Sequence, residues 1–144
     1  MDKLVIRGGN PLQGDVKISG AKNAVLPIMA SSLLVDGITV IRNVPDLRDT
    51  KTFIKLLEIL GAKCVLDGST LSVDASDINS LEAPYDLVKT MRASFYVMGP
   101  LLGRFGETKV SLPGGCAWGP RPVDYHLKGF EKLGASIDLN QGYI

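Results

Sequence analysis

Cysteine, histidine and tryptophan are scarce: the 144-residue chain has two, one and one. Cys64 and Cys116 cannot build a disulfide framework, and neither belongs to the C-x-x-C pair of a zinc knuckle. An excess of charge of one sign is missing too. Sixteen lysines and arginines against fifteen acids leave a formal net charge of +1. No basic field therefore marks a nucleic-acid or anionic-membrane partner. No apolar run approaches the roughly 20 residues that cross a bilayer, and the opening MDKLVIRGGN lacks the apolar centre of a secretory signal. A cytoplasmic protein is expected. What is present is globular material, 45% apolar and 22% charged, too apolar for a disordered chain and enough for one modest domain.

The chain repeats itself. Residues 21–40 (AKNAVLPIMASSLLVDGITV) lie over residues 91–110 (MRASFYVMGPLLGRFGETKV) at an offset of 70 without gaps. Lys22 falls on Arg92, and each apolar stretch closes in a turn before Ile38-Thr39-Val40 or Thr108-Lys109-Val110. Further on, residues 53–66 match residues 126–139 at an offset of 73, with Leu60-Gly61-Ala62 over Leu133-Gly134-Ala135. The change in offset means three residues inserted into the loop between the matched blocks. That loop reads Arg42-Asn43-Val44-Pro45-Asp46-Leu47 in the first copy, and Leu112-Pro113-Gly114-Gly115-Cys116-Ala117-Trp118-Gly119-Pro120 in the second. A duplicated scaffold with one loop enlarged around a cysteine reads as a site grafted on a frame.

Periodicity predicts strand, helix, strand, helix, strand, strand for each copy. Residues 15–19 (DVKIS) alternate as a strand, with residues 85–89 as their counterpart. Residues 21–35 are apolar nearly all round, which predicts a buried helix capped by Ser19 or Gly20 and bent at Pro27. Residues 38–42 read as a strand. Residues 49–60 carry Phe53, Ile54, Leu56, Leu57 and Leu60 at helical spacing, stopped by Gly61. Residues 63–66 and 70–73 read as a hairpin around Asp67-Gly68. In the second copy Pro122 suits the first turn of a helix ending at Gly134, residues 136–139 read as a strand, and its hairpin partner begins near Tyr143. The pattern thus breaks off inside a hairpin, and a fragment of a longer polypeptide or a truncated product is expected.

Cys116 sits between Pro113-Gly114-Gly115 and Gly119-Pro120, so its backbone is expected in turns on an exposed loop. With Arg121, Lys22 or Arg92 nearby it would serve as a proton donor or nucleophile; the plain alternative is a small half-buried apolar residue. Cys64 alternates in a plain strand and reads as structural filler. Lys22 and Arg92 open matched helices, where a cation works against the helix dipole unless an anion lies between. The competing reading is a pair of solvated surface cations. Arg121 offers a fork for phosphate, while the helix dipole explains Asp124 equally well. Trp118 either floors a pocket or pins the loop, and His126 is given no catalytic role. A phosphatase-type thiolate loop needs five residues between Cys and Arg, and Cys116 and Arg121 have four between them. No Gly-Lys-Ser/Thr closes a P-loop.

Ser19-Gly20-Ala21-Lys22-Asn23-Ala24, Lys89-Thr90-Met91-Arg92-Ala93-Ser94, and Pro113-Gly114-Gly115-Cys116-Ala117 with Arg121-Pro122-Val123-Asp124 closely resemble the family of enolpyruvyl transferases that act on UDP-N-acetylglucosamine. The resemblance covers the whole chain. It implies an inside-out α/β barrel of the EPSP synthase type, with two of the repeated βαβαββ units present. Residues 1–20 would be N-terminal strands of a second domain, and residues 21–144 an incomplete catalytic domain, with units at about 15–84 and 85–144. It implies transfer of the enolpyruvyl group of phosphoenolpyruvate to the sugar 3′-hydroxyl, the first committed step of peptidoglycan synthesis, with no cofactor or metal.

Carried over residue by residue, Lys22 and Asn23 hold phosphoenolpyruvate. Cys116 is the proton donor that also forms a covalent adduct with phosphoenolpyruvate or fosfomycin. Arg92, Arg121, Pro122, Val123, Asp124 and Tyr125 line the UDP-sugar site. Tyr125 stands where leucine is usual and Trp118 where an aliphatic is commoner. A catalytic aspartate and further arginines would come from beyond Ile144, so the 144 residues alone are expected to be inactive. The shikimate-pathway relative shares the repeat but not the cysteine loop, and Cys116 argues against it. A non-catalytic binding or scaffold fragment of the same fold is the alternative.

Overall fold

The computed structural model describes residues 3–89, 91–112 and 123–144. The first copy folds as α1 (Lys22–Ser31) continued by a 3-10 turn (Ser32–Leu34), β1 (Ile38–Ile41), α2 (Arg48–Ile59), β2 (Lys63–Asp67) and β3 (Thr70–Asp74). The second comprises β4 (Glu82–Ala83), a single turn α3 (Tyr85–Val88), a 3-10 segment (Arg92–Val97) leading into α4 (Met98–Phe105), β5 (Lys109–Val110) and α5 (Asp124–Lys132). The α/β class follows the periodicity.

In the first copy β3 is central and antiparallel to both neighbours, in the order β1-β3-β2. Asp67 pairs with Thr70, so the hairpin closes on Gly68 and Ser69, one residue later than the sequence indicates. Gly68 provides the positive φ of +54° that this tight turn requires. Leu71 and Val73 of β3 are fully buried, as are Phe53, Leu56 and Leu57 of α2 with its C-cap Leu60, Met29 of α1 and Leu33 of the 3-10 turn. Burying each such side chain contributes about 1.5–3 kcal/mol. This layer of α1 and α2 on one face of the sheet forms the first copy's part of the core, which continues into the second copy through Val88, Val97, Leu101 and Val110.

The Leu-Gly-Ala repeat is a helix stop in both copies. Gly61 N–H donates to Glu58 O (3.0 Å) and Ala62 N–H to Leu57 O (3.0 Å); Gly134 N–H donates to Glu131 O (2.9 Å) and Ala135 N–H to Phe130 O (3.0 Å). These are the paired bonds of a Schellman ending, with φ of +108° at Gly61 and +97° at Gly134. The surroundings differ. A Cβ at Gly61 would lie 2.6 Å from Asp77 O, whereas at Gly134 nothing lies within 4 Å.

Arg104 joins the copies. Its Nη1 lies 3.0, 3.1 and 2.8 Å from the carbonyl oxygens of Leu33, Val35 and Ala75, and its Nη2 lies 3.2 Å from Asp36 Oδ1. A side chain of α4 thereby caps the end of the first copy's 3-10 turn and the exit of β3.

Several expectations are corrected. Residues 15–19 form no strand: a strand needs a partner ladder, and Val16 and Ile18 remain exposed at 80% and 78%. Residues 85–89 hold the turn α3 rather than a strand, because Pro84 at the N-cap presets φ (−74°) and Asp86 suits a helix start. The strand lies earlier, at Glu82–Ala83, parallel to β5. Residues 136–139 are not a strand either. The pairing falls on Asn140 and Tyr143 around Gln141-Gly142, with Tyr143 also bridged to Ser111. The first helix buries Val25, Leu26, Met29 and Ala30 but leaves Ile28 49% exposed, so it is buried on one side only. Its cap is Ala21, without a side-chain hydrogen bond, rather than Ser19 or Gly20. The α-helix runs on past Pro27 to Ser31. In the second copy the order reverses, 3-10 before α, and Pro100 falls in the first turn of α4, where no donor is needed.

Two stability predictions follow from these contacts. Gly134→Ala should cost about 1 kcal/mol for the positive φ alone, and Gly61→Ala should cost at least about 1–3 kcal/mol more because of the clash; urea unfolding of the two variants measures the difference. Arg104→Ala should destabilise by about 2–4 kcal/mol, since it strands carbonyls at the seam, and Arg104→Lys should restore only part of this.

Candidate active site

The site is built from the first turns of helices. Gly20 allows α1 to start hard against the loop before α2: a Cβ there would lie 2.0 Å from Asn43 O. The loop itself is pinned, with Thr50 Oγ1 donating to Pro45 O at 2.9 Å. The approach brings together two helix N-termini. Lys22, the first residue of α1, places Nζ 3.2 Å from Oδ2 of Asp49, in the first turn of α2. The anion demanded by a cation at a helix start is, in this structure, a carboxylate of the same chain. Asn23 lies beside Lys22 on the exposed side. Sequence reasoning missed Asp49, because an acid in a first helical turn is already explained by the dipole.

Arg92 opens the 3-10 segment rather than an α-helix. With Ala93, Phe95, Tyr96, Val123 and His126 it lines a cavity of about 120 Å³. The cavity thus lies between the 3-10 segment and the start of α5. Val123 is the N-cap of α5 and is buried. Asp124 follows in the first turn, with Oδ2 3.5 Å from Lys128 Nζ. Its other oxygen, Oδ1, is buried and has no hydrogen-bond partner among the described residues. The Tyr125 side chain is 78% exposed. His126 meets Phe95 edge-on, at 5.6 Å between ring centroids. It packs, as a lone histidine commonly does, but it also lines the cavity with Arg92; its place two residues after Asp124 was the available signal.

The structure therefore pairs Lys22 with Asp49, and Arg92 with Val123 and the start of α5. Cys116, Arg121 and Pro122, together with Trp118, lie outside the described residues. Cys64 is the one described cysteine. Half-buried in β2, its thiol is pushed up to about 12 by burial first and by the nearby Glu58 charge second. Among the described residues no group of three or more His, Cys, Asp and Glu side chains is placed to hold a metal ion. No described helix is long and apolar enough to cross a membrane.

A reactivity test follows. In a Cys116→Ser variant, Cys64 should react with a thiol reagent at pH 8 roughly a thousandfold more slowly than an ordinary thiol, given about 12 against 9.0. Denaturant should restore the ordinary rate; rapid labelling of the folded variant would contradict the burial.

Residues 6–144 match the family described as EPSP synthase (3-phosphoshikimate 1-carboxyvinyltransferase). Among curated proteins, a UDP-N-acetylglucosamine 1-carboxyvinyltransferase of Chloroherpeton thalassium is 61% identical over 145 residues, an alignment covering 100% of this chain and 34% of the relative. That of Chlorobaculum parvum is 59% identical with the same coverage. The chain spans about a third of the length of these relatives. Among solved structures, the enolpyruvyl transferase NikO from Streptomyces tendae is similar with a TM-score of 0.77 at 29% identity, covering 94% of this chain and 30% of NikO.

Proposed function

The chain belongs to the EPSP synthase family and forms part of an enolpyruvyl transferase α/β fold, and from that premise we propose that it supplies one portion of a UDP-N-acetylglucosamine enolpyruvyl transferase. The observation that carries this reading is the 59–61% identity, along the whole chain, with proteins of that name. In the proposed reaction the sugar 3′-hydroxyl oxygen bonds to C2 of phosphoenolpyruvate while C3 takes a proton. The tetrahedral adduct then loses a proton from C3 and inorganic phosphate from C2, leaving the enol ether.

The roles divide by chemistry. The Cys116 thiol donates the proton to C3, so it has to be protonated when it acts. Lys22 and Asn23 hold phosphoenolpyruvate, a dense anion whose phosphate leaves as an anion, and cations near it stabilise that charge. Arg92 and Arg121 through Tyr125 take the UDP-sugar. Asp124 Oδ1, without a partner among the described residues, supports this part, since such a buried acceptor is available to a ligand N–H or O–H. The base for the hydroxyl comes from elsewhere in a polypeptide of the relatives' length, working in the cytoplasm. Residues 1–20 belong to that protein's second domain, which accords with the exposure of Leu4, Ile6 and Leu12 at 94%, 86% and 96%.

A chimera tests the reading. With these 144 residues replacing the matching third of the Chloroherpeton thalassium relative, phosphate should be released from phosphoenolpyruvate only when UDP-N-acetylglucosamine is present. Cys116→Ala should lower the rate at least about 100-fold, and the 144-residue chain alone should form no product. Turnover with shikimate 3-phosphate in place of the nucleotide sugar, or full activity without the thiol, would overturn it.

A further inference from the structure

The Lys22–Asp49 pair has consequences for what the Lys22 site admits. We infer that Asp49 is the resident counter-ion of Lys22, a positioning residue that an anionic ligand must displace and that thereby sets how strongly an anion has to bind to occupy the site. This rests on the reading of Lys22 as an anion-binding residue.

The two partners are held unequally. Asp49 sits in the first turn of α2, where the helix dipole favours a carboxylate whether or not Lys22 is near. That helix is anchored by Phe53, Leu56 and Leu57, each fully withdrawn from solvent. Lys22 stands in the first turn of α1, where the dipole disfavours a cation, on a four-carbon stem free to swing. The carboxylate therefore stays and the ammonium is the mobile partner.

The pair is also weak enough to be exchanged. Side-chain exposures of 51% for Lys22 and 35% for Asp49 leave it open to solvent. An exposed pair of this kind is worth about fivefold or less in an equilibrium constant. A monoanion offers the ammonium no more charge than Asp49 already does. A phosphate dianion offers more, so it is the class of ligand that displaces the carboxylate. Competition with Asp49 weakens every anion at Lys22 by the same factor, so a singly charged ion falls below detection while a phosphate dianion stays above it.

The test is an NMR titration, at low ionic strength, of the chimera with the Chloroherpeton thalassium relative, following the Lys22 and Asn23 amides with inorganic phosphate, phosphoenolpyruvate and acetate. Asp49→Asn should tighten phosphate binding by about two- to fivefold and make acetate binding detectable, while Asp49→Glu should match the wild type. Lys22→Gln should abolish binding in either background. Asp49→Ser repeats the charge removal should the amide disturb α2. Removal of a merely structural ion pair would leave affinity unchanged or weaker, and either result overturns the inference. Lys22-dependent binding that shows the tightening but no preference for phosphoenolpyruvate over phosphate would keep the counter-ion role and remove the enolpyruvyl reading. A preference for phosphoenolpyruvate without tightening in Asp49→Asn would do the reverse. No Lys22-dependent binding in any of these proteins would remove both.

Discussion

The packing of α1 against α2 over one face of a small antiparallel sheet governs the rest of the molecule. Met29 and Leu33 from one side and Phe53, Leu56 and Leu57 from the other are fully buried there. Close packing of this kind leaves little play in helix position. The N-termini of both helices are thereby fixed at one edge, and the groups they carry meet at defined distances. Gly20 is part of the same constraint, because any side chain there would strike the backbone of the loop leading to α2. The apolar layer thus decides where Lys22 finds its partner.

Duplication supplies the frame and divergence supplies the site. The helix stops at Gly61 and Gly134 share their hydrogen-bond pattern, so both copies inherit the same geometry at the end of their second helix. The copies differ where they touch. Arg104 has no basic counterpart at the matched position, which holds Leu34, and it stitches the second copy to carbonyls of the first. The sheets differ as well. The first copy has a continuous three-stranded ladder, whereas the second has the short parallel pair of β4 and β5, with Tyr143 bridged to Ser111 just past β5.

The electrostatics of the site are local and invisible in the totals. A net charge of +1 excludes a broad field, yet it says nothing about a lysine and an aspartate facing each other across two helix starts. A cation at a helix N-terminus remains unfavourable by itself. The structure resolves this with Asp49, and an incoming phosphate ester would compete for the same ammonium. On the proposed reading, that competition ties anion binding at Lys22 to the way the two helices pack.

By itself the sequence determined the features that depend on local spacing: the two copies, the four main helical stretches, the first hairpin and both glycine stops. Each is a pattern of a few neighbouring residues whose cause lies in backbone geometry and in apolar periodicity. The resemblance in Lys22-Asn23 and around Cys116 likewise needed only adjacent residues. The tertiary structure decided whether residues 15–19, 85–89 and 136–139 were strands, because a strand exists only where a second segment completes its ladder. It alone placed Asp49 against Lys22, Arg104 on the seam and His126 on the Arg92 cavity. Those pairings join residues 27, 29 to 71 and 34 positions apart, and no local propensity encodes a distance set by how whole elements pack.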